Sequence, residues 1–134
     1  MAKDFDIDVI QGNTDLFIVS DKLPNVPDFA KNAIIYAKNN LSEENLAYLK
    51  LLPAQKSIKI GETSILLVHG SPRKNDENIL PGKSVEEIKP IIKDTTETLI
   101  LCGHTHLPAG YQIGKQTVVN VGSVGRPFTE DNKA

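Results

Sequence analysis

All three histidines of this chain stand at, or just beyond, the ends of short β-prone apolar runs. Ile65-Leu66-Leu67-Val68 leads directly into His69-Gly70, and Thr98 to Cys102 leads into Gly103-His104-Thr105-His106. A third run, Ile7-Asp8-Val9-Ile10, is followed by Gln11-Gly12-Asn13-Thr14-Asp15. It reads as a strand entering a tight loop. In a layered α/β domain the loops after strands gather at one end of the sheet, where ligands bind. The pattern therefore predicts that the histidines converge, with Asn13 and Asp15 beside them. Glycines at these positions let backbone and ligand approach closely.

The remaining pattern supplies elements for such a domain. Val26, Phe29, Ala30, Ala33, Ile34 and Ala37 fall on one face of an amphipathic helix, with Pro27 near its start and Asn39-Asn40 ending it. Ser42 caps a second helix with Glu43 and Glu44 in its first turn, Leu46, Leu49 and Leu52 on one face, and Pro53 at its end. Ser57 to Ile60 and Thr63 to Val68 read as a hairpin around Gly61-Glu62. Ser84-Val85-Glu86-Glu87 is a capping box, and Pro90 keeps the helix it opens short. Strands are expected at Thr98–Cys102, Tyr111–Ile113 and Thr117–Val121, the last two joined at Gly114-Lys115. Strands and helices mix, so the class is α/β or α+β.

Composition narrows the setting. With 40% hydrophobic and 24% charged residues, 134 residues are about one domain of ordinary globular usage. Fifteen basic against seventeen acidic residues, with no Lys/Arg block, argue against stable nucleic-acid or membrane-surface binding. No apolar run approaches the ~20 residues of a membrane span, and the acidic N-terminus has no secretory pattern. A single cysteine, Cys102, cannot form an internal disulfide, and a cytoplasmic setting is the simplest expectation.

Two histidines at i and i+2, between glycine and proline, have little packing rationale and favour metal ligation. A lone histidine such as His69 is as a rule a structural residue, and Asn13 and Asp15 are ordinary turn formers, so these gain weight only from company. A mixed nitrogen and oxygen donor set suits Mn, Fe or Zn. Cys102, inside an apolar run, reads as a core thiol. Arg73 and Arg126, the only arginines, stand in loops and read equally well as phosphate forks or solvated residues.

The segments Ile10 to Asp15, Leu67-Val68-His69-Gly70-Ser71-Pro72-Arg73, Cys102 to His106 and Val119-Asn120-Val121-Gly122-Ser123-Val124-Gly125-Arg126-Pro127 occur in this order. Together they resemble the calcineurin-like metallophosphoesterase superfamily, in its small prokaryotic phosphodiesterase branch, which also holds a metal-poor scaffold subunit of the retromer coat. The resemblance implies a four-layer α-β-β-α sandwich with a dinuclear site. It implies that Asn13, His69 and His104 bind one divalent ion and His106 the other, with His69, His104 and His106 forming the catalytic set. Mn2+ is the expected ion, with Zn2+, Fe2+ and Ni2+ as alternatives. The implied reaction is hydrolysis of a phosphodiester or phosphomonoester by a metal-bound hydroxide, on a small phosphoester or nucleotide. Arg73 and Thr14 are the candidate substrate-binding residues.

Two departures qualify this. Thr14 stands where many members carry a histidine, and threonine cannot act as a general acid near neutral pH. The family's Asp-x-His and Gly-Asp motifs, including the aspartate that bridges both ions, do not occur among the 134 residues. The chain is accordingly expected to be one partial domain over residues 1–134, lacking the first strands and stopping short of a further C-terminal strand. The alternative function is a catalytically impaired metal-binding or scaffold module, with a homodimer formed through an exposed sheet edge.

Overall fold

The computed structural model describes residues 7–20 and 24–128. The chain divides into two compact units, residues 1–53 and 54–134. Helices and a five-stranded sheet give the mixed α/β class expected from the sequence.

The first unit is helical. Helices α1 (Asn13–Val19), α2 (Asp28–Asn40) and α3 (Glu43–Leu51) follow one another, and α1 packs against both α2 and α3. The expected strand over Ile7–Ile10 is not formed; these residues lie in no helix or strand. An apolar run becomes a strand only where a neighbour completes its hydrogen bonds. Nor does Asn13 sit in a loop. It opens α1, because the Asp15 carboxylate accepts from the Gly12 amide at 2.8 Å and places negative charge at the helix's positive end. Buried Gln11 ties this entry to the end of α3, its amide to the Pro53 carbonyl at 2.8 Å and its side chain to the Leu49 carbonyl at 3.0 Å.

Helix α3 begins as expected, with the Ser42 hydroxyl accepting from the Asn45 amide. On α2 only Ile34 is buried. Phe29, assigned to the apolar face by periodicity, is 69% exposed. Spacing defines a stripe, but packing decides which part of it is covered.

The second unit carries the sheet. Strands β1 (Gln55–Ile60), β2 (Thr63–Val68), β3 (Leu99–Cys102), β4 (Ala109–Ile113) and β5 (Gln116–Asn120) stand in the order β1-β2-β3-β5-β4. The β1–β2 and β4–β5 pairs are antiparallel hairpins, turning at Gly61 and Gly114, both at φ +58°. Left-handed backbone of this kind is what glycine tolerates. Strands β2, β3 and β5 run parallel, with Leu67 opposite Leu101 and Cys102 opposite Asn120.

A crossover from β2 to β3 carries helix α4 (Val85–Ile88), capped reciprocally by Ser84 and Glu87. It is only four residues long because Pro90, two positions on, has no N–H to extend it. The crossover supplies Ile79, Ile88, Ile91 and Ile92 to a core completed by Leu66, Val68, Ile100, Cys102, Ile113 and Val118. Burying each isoleucine contributes about 1.5–3 kcal/mol. No helix among the described residues is long and apolar enough to cross a membrane.

A candidate metal centre at the strand ends

The parallel run of β2, β3 and β5 decides where the histidines lie. All three strands end on the same side, so His69, Gly103–His106 and the segment after Asn120 leave the sheet as neighbours. The sheet hydrogen bonding continues one step beyond the strands. Gly103 N donates to His69 O, and Val121 N to Cys102 O, both at 2.8 Å. These two bonds set the loops against one another.

His104 and His106 both occupy left-handed backbone, at φ 64° and 61°, while Thr105 turns between them. For residues other than glycine this costs roughly 1–2 kcal/mol each. The cost is met by Asn120, which is buried. Its side-chain amide donates to Gly103 O at 2.8 Å, Thr105 Oγ1 at 2.8 Å and Ile79 O at 3.0 Å, and its carbonyl accepts from Gly122 N at 3.0 Å. One buried side chain thus fastens the loop after β3, the crossover and the loop after β5. Thr105, between the two histidines, is also buried.

Across this end of the sheet His69 Nε2 faces His104 Nδ1 at 3.3 Å, with the rings edge to face and 5.1 Å between centroids. Two nitrogens this close can hold at most one proton between them. Metal–nitrogen bonds of ~2.0–2.1 Å to two atoms 3.3 Å apart subtend roughly 105–110° at a shared ion. The pair therefore fits two positions of a divalent site. Burial pushes the His104 imidazole below its ordinary pKa; the Asp76 carboxylate opposes this and His106 adds to it. A neutral imidazole is the ligating form. Among the described residues, no three His, Cys, Asp or Glu side chains gather closely enough to hold an ion by themselves.

His106 is held differently. Its Nδ1 lies 2.7 Å from the Arg126 carbonyl oxygen, and its ring stacks on Phe128. Asn13 and Thr14 belong to the first unit, as the first two residues of α1, Asn13 half-buried and Thr14 exposed.

Arg73 is an exposed loop residue, and it is paired. Its guanidinium meets the Glu77 carboxylate through two nitrogens, Nε at 3.2 Å from Oε2 and Nη2 on Oε1. The buried Ser71 hydroxyl donates to the same carboxylate and accepts from the Arg73 and Lys74 amides, both at 3.1 Å. Hydrogen bonding from Arg73, aided by Ser71, holds the Glu77 carboxyl below the usual carboxylate range, and Glu77 raises the guanidinium in turn. The loop is tight. A Cβ on Gly70 would sit 2.4 Å from the Asn75 carbonyl oxygen, so only glycine fits there. A cavity of about 350 Å3 beside this loop is lined by Arg73, Ser57, Asp94 and Glu97 among others, and by none of the histidines.

Three residues with a part here were not singled out from the sequence: Asp76, Glu77 and Phe128. Glu77 lies four residues after Arg73, a spacing that signals an ion pair on a helix but not in a loop. Asp76, whose backbone hydrogen-bonds the His104 ring, and Phe128 carried no signal. Cys102 is the core thiol expected, and burial pushes it up to about 12.

The chain matches the family model described as the calcineurin-like phosphoesterase superfamily domain over residues 1–134. It is similar to the crystal structure of a hypothetical protein from Pyrococcus horikoshii OT3, with 28% identity and a TM-score of 0.83, over 94% of this chain and 55% of that one. It also resembles in fold a metallophosphoesterase from Sphaerobacter thermophilus, with 24% identity and a TM-score of 0.63, over 88% of this chain and 55% of that one. The chain thus spans about half the length of these two structures. No curated protein matches it.

Proposed function

This chain belongs to the calcineurin-like phosphoesterase superfamily, and from that premise we propose that it serves the divalent-metal-dependent hydrolysis of phosphoesters. The observation that carries the reading is the His69–His104 pair, two imidazole nitrogens 3.3 Å apart at the ends of adjacent parallel strands. His69 Nε2 and His104 Nδ1 are the proposed donors to one ion, and His106 is the proposed donor to a second. Divalent ions in such a site supply Lewis-acid stabilisation of charge on phosphoryl oxygens and lower the pKa of water. Mn2+ is the proposed ion, a small phosphoester or nucleotide the proposed substrate, and the cytoplasm the proposed location.

The chain's own residues have distinct parts in this reading. The β3–β5 end holds the imidazoles in place before any ligand arrives, so little ordering is left to be done on binding. Arg73 keeps a planar fork near the His69 loop, though its charge is already balanced by Glu77. Thr14 has no proton to give near neutral pH. Esters with good leaving groups are therefore the proposed preference.

The test is hydrolysis of bis-p-nitrophenyl phosphate and p-nitrophenyl phosphate with Mn2+, Zn2+, Fe2+ or Ni2+, beside elemental analysis. Metal-dependent turnover is expected, falling at least ~100-fold in His104→Ala. Absence of turnover with every ion overturns the reading. Bound metal without turnover favours the second reading, a metal-binding interaction module, which rests on Thr14 and on the absence of Asp-x-His and Gly-Asp from these 134 residues.

A further inference from the structure

We propose that residues 125–128 form a positioning strap that holds the His106 imidazole as its Nδ1–H tautomer and leaves the lone pair on Nε2. The inference rests on the reading of His106 as a metal ligand for its purpose, but on separate contacts for its geometry.

Four observations carry it. A carbonyl oxygen can only accept, so the 2.7 Å contact between His106 Nδ1 and Arg126 O places the proton on Nδ1. The Phe128 ring stacks on the imidazole, 5.2 Å between centroids and 27° between planes, which fixes the ring's rotation about its own bond. The Phe128 amide donates to His106 O at 3.2 Å, so the strap grips backbone as well as side chain. The Arg126 guanidinium lies 5.4 Å from the Phe128 centroid and steadies that ring by a cation–π contact.

The strap is itself anchored. The Arg126 amide donates to Ser123 Oγ at 3.1 Å, and Gly122 just before it is held by Asn120. Pro127, between the two gripping residues, has a fixed φ and no amide hydrogen to compete for the carbonyls. An imidazole in water prefers the Nε2–H form, so the contacts work against the intrinsic preference. That is what a ligand binding through Nε2 needs, because the nitrogen away from the ion is the one that carries the proton. Phe128 and Arg126 are positioning residues in this scheme, since they act through His106.

Long-range nitrogen–proton NMR on the full metal-free chain, above neutral pH, reads the tautomer directly. The wild type should show His106 with a protonated Nδ1 and an unprotonated Nε2. In Phe128→Ala the ratio of the Nδ1–H to the Nε2–H form should fall about threefold to tenfold, while Phe128→Tyr, which keeps a stacking ring, retains the wild-type ratio. A backbone amide spectrum unchanged away from residues 104–106 and 121–128 certifies that the variants are folded. A wild-type His106 protonated on Nε2 overturns the proposal, as does an unchanged ratio in Phe128→Ala. Cation binding in the same samples separates this from the functional reading. A fixed tautomer with no Mn2+ or Co2+ bound defeats the metal reading and leaves the strap standing; bound cation with an unchanged ratio in Phe128→Ala does the reverse.

Discussion

His104 and His106 occupy backbone that favours glycine, and that cost separates a side chain's function from its contribution to stability. At position 104, replacement by glycine relieves the left-handed conformation, whereas alanine keeps the strain; both remove the imidazole. His104→Gly should therefore be more stable than His104→Ala by about 1 kcal/mol in urea unfolding. Equal stabilities would show that the conformation carries no strain. Asn120 is the opposite case, a residue whose side chain does only structural work. Asn120→Ala leaves the Ile79 carbonyl and the Gly122 amide without their partner, cuts the ties to Gly103 and Thr105, and should cost about 2–3 kcal/mol by the same measurement. The histidines were legible from the sequence because two of them, i and i+2 beside a glycine, have few packing roles. Phe128 was not, because nothing in the order of residues says that the chain returns to His106 after twenty-two positions.

At the level of elements, the loop between β2 and α4 behaves as a unit closed by one carboxylate. Glu77 has a folded-state pKa below its unfolded value, chiefly through its hydrogen bond from Arg73. A depressed acid stabilises the fold above the unfolded pKa, and that contribution disappears as pH falls through the folded value. The wild type should therefore lose more stability than Glu77→Gln between about pH 7 and about pH 3, read from urea midpoints. An identical loss in both proteins would place the acid sensitivity elsewhere. Elements with local punctuation were readable: Ser42 and Pro53 bracket α3, Gly61 turns the hairpin, and Ser84 with Pro90 delimits α4. The run Ile7–Ile10 was misread because strand propensity does not say whether a partner strand lies alongside. Asn13 accordingly opens helix α1 rather than sitting in a loop.

For the whole molecule, the important fact is that β3 stands between β2 and β5, an order that periodicity cannot reveal. It is this order that makes neighbours of His69 and His104, thirty-five residues apart. If the pair binds an ion in the folded state alone, the ion must stabilise the fold by mass action. Mn2+ at about a hundredfold above its dissociation constant should add ~2.7 kcal/mol and raise Tm, and the rise should vanish in a His69→Ala, His104→Ala double variant. A Tm unmoved by any divalent ion would argue against the centre. One further property follows from the sheet core. The chain's sole sulfhydryl, Cys102, is 2% exposed and held protonated by burial, so it stays silent toward alkylating reagents while the protein is folded. A cysteine introduced at an exposed position such as Lys59 then becomes a unique attachment point for a fluorophore or spin label, with the native thiol left in place.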